Sequence, residues 1–293
     1  MVPKELQDAR ETYQGAVAAA ERLLRAPRGD GAAVDGTETL NEALLAPLRV
    51  NDALMVPLLT TMAGPPSAAA EAIGPGILAL RLGLELGRPP RDLERLGLAT
   101  LLHEIGRSRV GRGEAGPALR RSLEEHVQPL RQRGPFHVEV SDLVLRTHDR
   151  LSVSNPAPAT VEGDLVPVVS LAIVAHGLAS QRGVEGRAWP PRSLKEILRR
   201  ERARFPDAIL KALIGVLTML PLGSLVRLNS GEIGYVVAKN EGLPLRPVVA
   251  VWISQGRLLT EAKPVDLQDN AFLFVEEFLG EGRLEHFTKD GSR

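Results

Sequence analysis

The sequence predicts a mainly α-helical chain closed by a small C-terminal β-domain. Up to about Leu220, apolar residues recur at helical spacing in successive segments separated by Gly- and Pro-rich breakers. Beyond Leu220 the texture changes to short β-branched runs with turn signals between them. The chain has 293 residues, 44% of them hydrophobic and 25% charged, which is enough for two ordinary globular cores.

Taken in order, residues 3–26 read as a helix with Ala and Leu on one side, Arg28–Gly36 as a Gly/Asp linker, and Thr37–Leu48 as a resumed helical pattern. The apolar segment Val50–Met62 ends at Gly64-Pro65-Pro66. Ser67 is placed to cap a helix whose stripe is Ile73, Ile77, Leu80, Leu82 and Leu84, and Gly87-Arg88-Pro89-Pro90 stops it. Arg91–Ile105 follows, with Leu93, Leu96, Leu98, Leu101 and Leu102 at helical spacing. Ala115–Gln132, His137–Leu151 and Asp164–Gln181 read as further helices, and the Pro-, Ala- and Ser-rich stretch Ser152–Gly163 as a loop. Ser193 caps Leu194–Arg204, Asp207 begins Ala208–Met219, and Trp189 reads as a packing anchor.

Leu225–Leu228, Ile233–Val237 and Val248–Trp252 are strand-like, with Asn229–Gly231 and Ser254–Gly256 as turns. Residues 222–279 are expected to curl into a sheet of about five strands with Trp252 in its core, and the polar tail after Gly280 to be loose. The boundaries that follow are an N-terminal helical region at 1–62, a helical domain at 63–220, a β-domain at 221–280 and a tail at 281–293.

Composition removes several function classes. Lys plus Arg is 36 and Asp plus Glu is 36, which argues against bulk attraction to nucleic acid or an anionic membrane. Aromatic residues are 3%, too few for base-stacking platforms. With no cysteine, disulfides, thiolate metal sites and cysteine nucleophiles are excluded. The N-terminus lacks the pattern of a signal peptide, and the longest apolar run, Leu165–Ala175, is too short to span a bilayer, so the expected compartment is the cytoplasm. Of the basic residues 30 are Arg, a bias that fits a GC-rich genome.

Six histidines carry most of the functional signal. The informative segment is Leu101-Leu102-His103-Glu104-Ile105-Gly106-Arg107, a His-carboxylate doublet near a helix C-terminus. Downstream come Glu125-His126-Val127, Thr147-His148-Asp149 and Val174-Ala175-His176. Imidazole and carboxylate converging from several helices can hold a divalent ion. His137 precedes His148 by eleven residues. At 1.5 Å rise per residue that is about 16 Å along a helix, too far to share an ion. It reads as structural or exposed, and His286 lies in the tail. Arg107, Arg109 and Arg112, interleaved with Gly106, Gly111 and Gly113, read as a phosphate or nucleotide contact or as a solvated loop.

On these residues the chain resembles the HD superfamily of metal-dependent phosphohydrolases, specifically its HD-GYP branch. The resemblance runs from about Met62 to Met219, is best over Leu96–Arg107, and extends into Pro221–Gly234. It implies an all-α HD-domain bundle with a multi-metal centre and phosphodiesterase activity on cyclic di-GMP. The departures are specific. His103-Glu104 stands where the family has His-Asp, Arg107 where it has Lys, and Glu71 lies near a position the family fills with His. Val127 follows His126 in place of Pro, Thr147 replaces a ligand His, the Ser152–Ala159 loop lacks the Gly and Tyr of the signature, and His176 replaces a ligand Asp.

Each departure has a chemical meaning. Glu is one methylene longer than Asp, which moves the carboxylate by about 1.5 Å. Arg keeps the charge but cannot act as a proton donor as Lys can. Thr is a poor ligand, and a neutral His in place of Asp leaves the centre short of negative charge. The residual set His103, Glu104, His126, His148 and His176, with Glu71 nearby, is enough for one divalent ion such as iron or manganese; the alternative is a centre with none. If chemistry persists, Glu104 and Arg107 would carry it in impaired form.

The expected function is therefore a degenerate regulatory, ligand-binding or scaffolding module, with a divergent metal-dependent phosphohydrolase acting on a cyclic dinucleotide or other phosphoester as the alternative. The expected partners are a signalling protein and a cyclic dinucleotide, not nucleic acid. Helix 3–26 offers a face for a homodimer or for packing within the monomer.

Overall fold

The structure is a computed structural model that describes residues 2–26, 31–62, 67–108, 110, 116–153, 164–180, 197–218, 220–243, 245–280 and 284–288. The helical part comprises α1 (Lys4–Arg25), α2 (Gly31–Val50), α3 (Met55–Met62), α4 (Ala68–Glu85), α5 (Pro90–Ser108), α6 (Pro117–Val127), a 3-10 turn over Gln128–Gln132, α7 (Pro135–Ser152), α8 (Val166–Ala179) and α9 (Asp207–Thr218). Residues 197–201 are also helical. No described helix is long and apolar enough to cross a membrane.

Helix α4 is the axis of this assembly. It is apolar nearly all round, as a helix enclosed by others must be, and α1, α2, α5, α8 and α9 pack on it. Ser67 caps it as its sequence position predicts, its Oγ accepting the Ala70 N–H at 3.0 Å. Pairs of leucines from α5 fill the space left by missing side chains on α4: a Cβ at Gly83 would lie 2.7 Å from both Leu93 and Leu96.

Two stretches in the N-terminal region differ from expectation. Residues 31–36 are not a linker but the first turns of α2, where Ala33 and Val34 are buried and the Thr37 hydroxyl donates to the Ala33 carbonyl at 2.7 Å. Burial in the main core outweighs the weak helix propensity of Gly and Asp. Val50–Met62 is likewise not one segment. The Asn51 side chain accepts the Ala53 N–H at 2.9 Å, making a turn before α3 begins at Met55. The loop Ser152–Ala159 lies almost wholly, and Trp189 and Ser193 entirely, outside the described residues.

The five-stranded antiparallel sheet runs in the order β4-β3-β2-β1-β5, with β1 (Leu225–Leu228), β2 (Ile233–Ala238), β3 (Val248–Ser254), β4 (Arg257–Asp266) and β5 (Val275–Gly280). The β3–β4 hairpin turns at Gln255 and Gly256 with φ of 52° and 76°, the doubly left-handed geometry that tight hairpins use. Trp252 is half-buried at the margin of a cluster rather than inside it. Along β3, Val251 and Ile253 are buried and Trp252 between them only partly so. Leu284–Phe287 forms a 3-10 turn with Leu284 buried in that same cluster, so order in the tail extends past Gly280.

The sheet is docked on the N-terminal helices. Leu6 of α1 and Val56 of α3 share a buried cluster with Leu225, Ile233, Tyr235, Ile253 and Leu279. Asp52, itself 5% exposed, ties the two parts: its Oδ1 accepts the Leu222 N–H at 3.2 Å and its Oδ2 pairs with Lys239. A buried carboxylate stripped of its cation costs more than a half-exposed cation stripped of its carboxylate. Lys239→Ala is therefore expected to destabilise by about 2 kcal/mol or more, and Asp52→Ala by less, since Lys239 can then turn to water. Urea unfolding of the two variants checks the order.

Candidate functional site

The site is built around the last two turns of α5. Gly106 lets α6 approach: a Cβ there would lie 2.7 Å from Leu123 and 3.9 Å from the His126 Cβ, and Ser122 of α6 donates to the Gly106 carbonyl at 3.0 Å. His103, Glu104, His126, His148 and His176 are all buried, at 2%, 1%, 4%, 5% and 6% exposure. In an apolar helical core, polar groups of this kind are costly unless they are hydrogen-bonded.

Glu104 is the hub. Its Oε1 lies 2.9 Å from His103 Nδ1, and its Oε2 accepts from Arg107 Nε at 2.9 Å and Nη2 at 2.7 Å. Burial alone would raise this carboxyl, but the His103 hydrogen bond and the Arg107 charge outweigh it and hold the group down to about 2. Arg107 is raised in turn by Glu104, with a further pull from Glu71 on the first turn of α4. With the carboxylate ionised, His103 donates from Nδ1; its Nε2 is buried with no hydrogen-bond partner.

The other imidazoles approach this hub from different helices. The His148 ring centroid lies 6.4 Å from that of His103, and its Nε2 meets Ser152 Oγ at 3.3 Å. Burial and the neighbouring His103 lower its pKa. His176 of α8 stacks onto the backbone of α4, where a Cβ on Gly74 would fall 2.1 Å from its Nε2. Burial pushes His176 down to about 4 despite the attraction of Glu104. Thr147 Oγ1 is buried without a hydrogen-bond partner. Asp149, beside His148 in sequence, is 60% exposed and pairs with Arg120. His137 is used structurally, its Nε2 2.7 Å from Glu38 Oε1. Arg109 and Arg112 lie outside the described residues.

As placed, the one carboxylate of this set is already engaged within the chain. Both oxygens of Glu104 are taken by the chain's own donors, and a guanidinium already neutralises it. Among the described residues no group of three or more His, Cys, Asp or Glu side chains is placed to hold a metal ion. Two features of the site lay beyond the histidine pattern. Gly74, which seats His176, had a visible signal in the Gly74-Pro75-Gly76 interruption of a helical stripe. Ser152, assigned to a loop, ends α7 and contacts His148 at the i,i+4 spacing.

A family model described as "KOW domain associated with HD domain" matches residues 225–287. The match covers the described sheet and its closing 3-10 turn, and it supports an HD-domain context for the helical part that precedes it. No curated protein and no solved structure matches the chain significantly.

Proposed function

We propose that the chain is a degenerate HD-GYP-type module that works by binding, either to a protein partner in a signalling pathway or to a cyclic dinucleotide, with phosphodiesterase turnover lost. The observation that carries this reading is the state of Glu104. A hydrolytic centre of that type needs its carboxylate for a metal ion that activates water and steadies the phosphoryl oxygens. Here the same carboxylate is engaged by His103 and Arg107. Thr147 at the position of a ligand supports the same reading, and the match at 225–287 supports the HD-domain context it assumes.

The test is metal content and turnover in one preparation. Protein purified from manganese- and iron-supplemented medium is expected to carry well under one equivalent of either metal and to leave cyclic di-GMP intact. Stoichiometric metal together with turnover that disappears in His148→Ala would overturn the proposal in favour of a divergent phosphohydrolase.

A further inference from the structure

A carboxylate that is 2% exposed must have a countercharge, and two kinds of cation can supply it: a metal ion or a side chain. Glu104 has the second kind. Arg107 stands three residues on in α5, the spacing at which side chains on one helix face meet. Its fork delivers two donors, Nε and Nη2, to the one oxygen that His103 leaves open. Lysine, a single point charge, has no such fork. A divalent ion brought to Glu104 would meet a fixed positive charge beside it and would have to displace hydrogen bonds at both oxygens.

We infer that Arg107 is the resident cation of this centre: its guanidinium substitutes for a divalent ion at Glu104 and keeps such ions out. The inference rests on the binding-module reading above and deepens it. On this view Arg107 is a positioning residue. It sets Glu104 as a fixed acceptor for His103 rather than as a ligand, and through it the orientation of the buried His103 Nε2.

The experiment is a calorimetric Mn²⁺ titration of the full chain, with circular dichroism to confirm folding. Wild type is expected to show no saturable Mn²⁺ binding. Arg107→Ala is expected to bind Mn²⁺ saturably, at least tenfold more tightly than the limit the wild-type titration sets, and Arg107→Ala combined with Glu104→Gln to lose that binding. Arg107→Gln, which keeps an amide donor near Oε2 without the charge, serves if the Ala variant does not fold, with the same binding expected. In wild type, paramagnetic broadening of the His103 ring resonances by Mn²⁺ is expected to be absent. A folded Arg107 variant with no saturable binding, binding that survives Glu104→Gln, or Mn²⁺ broadening of His103 in wild type would each overturn the inference. Turnover of cyclic di-GMP by wild type would instead sink the binding-module reading, so the two failures are distinguishable.

Discussion

Arg107→Ala is expected to destabilise the folded chain by about 3 kcal/mol at neutral pH. The figure is at the low end for breaking a buried ion pair, because the Arg107 side chain is 39% exposed while Glu104 is 2% exposed. The cost falls on the carboxylate, which keeps one donor, His103 Nδ1, and loses its cation. The pH dependence identifies the cause. In wild type the Glu104 carboxyl is lowered from 4.5 to about 2. Its contribution, about 3 kcal/mol, is therefore present above pH 4.5 and lost as the pH falls through about 2. Without Arg107 the carboxyl moves upward, since burial is the largest influence on it. Acid then costs the variant less than it costs wild type. Stability measured by urea unfolding from pH 7 to pH 2 should show the two curves converging; parallel curves would mean that Arg107 contributes only packing.

His176 provides the second large effect, in a separate pH window. Its imidazole is lowered from 6.5 to about 4 by burial against α4. The folded state therefore favours the neutral ring, and its advantage is complete above pH 6.5. Between pH 6.5 and 4 the unfolded chain takes up a proton that the folded chain refuses, which costs about 3 kcal/mol in all. Thermal unfolding of wild type should fall steadily over that range. His176→Gln removes the titrating ring and should flatten most of the fall. A smaller slope remains because burial lowers His148 in the same direction. Unchanged acid sensitivity in His176→Gln would show that this ring is not the group responsible.

The two effects differ in how far the sequence foreshadows them. Glu104 and Arg107 are at i,i+3 in a segment that reads as helical, so their pairing is inherent in the spacing. The His103–Glu104 contact is not, because adjacent residues on a helix point about 100° apart and meet only when burial leaves them no other partner. The seat of His176 was only half legible: the Gly74-Pro75-Gly76 interruption stands in the sequence, but the packing of α8 on α4 that brings His176 to it does not. Similar limits applied to the fold. Ser67 named its own helix start through a local hydrogen bond, whereas 31–36 looked like a linker because burial by distant residues is invisible in composition.

By itself, then, the sequence determined what is local: the helical and β-rich regions, the Ser67 cap and the Gly87–Pro90 breaker, and the order in which four imidazoles and one carboxylate come along the chain. Periodicity and turn chemistry act over a few residues, so a single chain displays them openly. Only the tertiary structure decided that the Glu104 carboxylate is buried and also meets His103, that Asp149 turns away to Arg120, and that the sheet rests on Leu6 and Val56. Those outcomes depend on which elements meet and on how strongly burial penalises a charge without a partner, and neither quantity is carried by spacing along the chain.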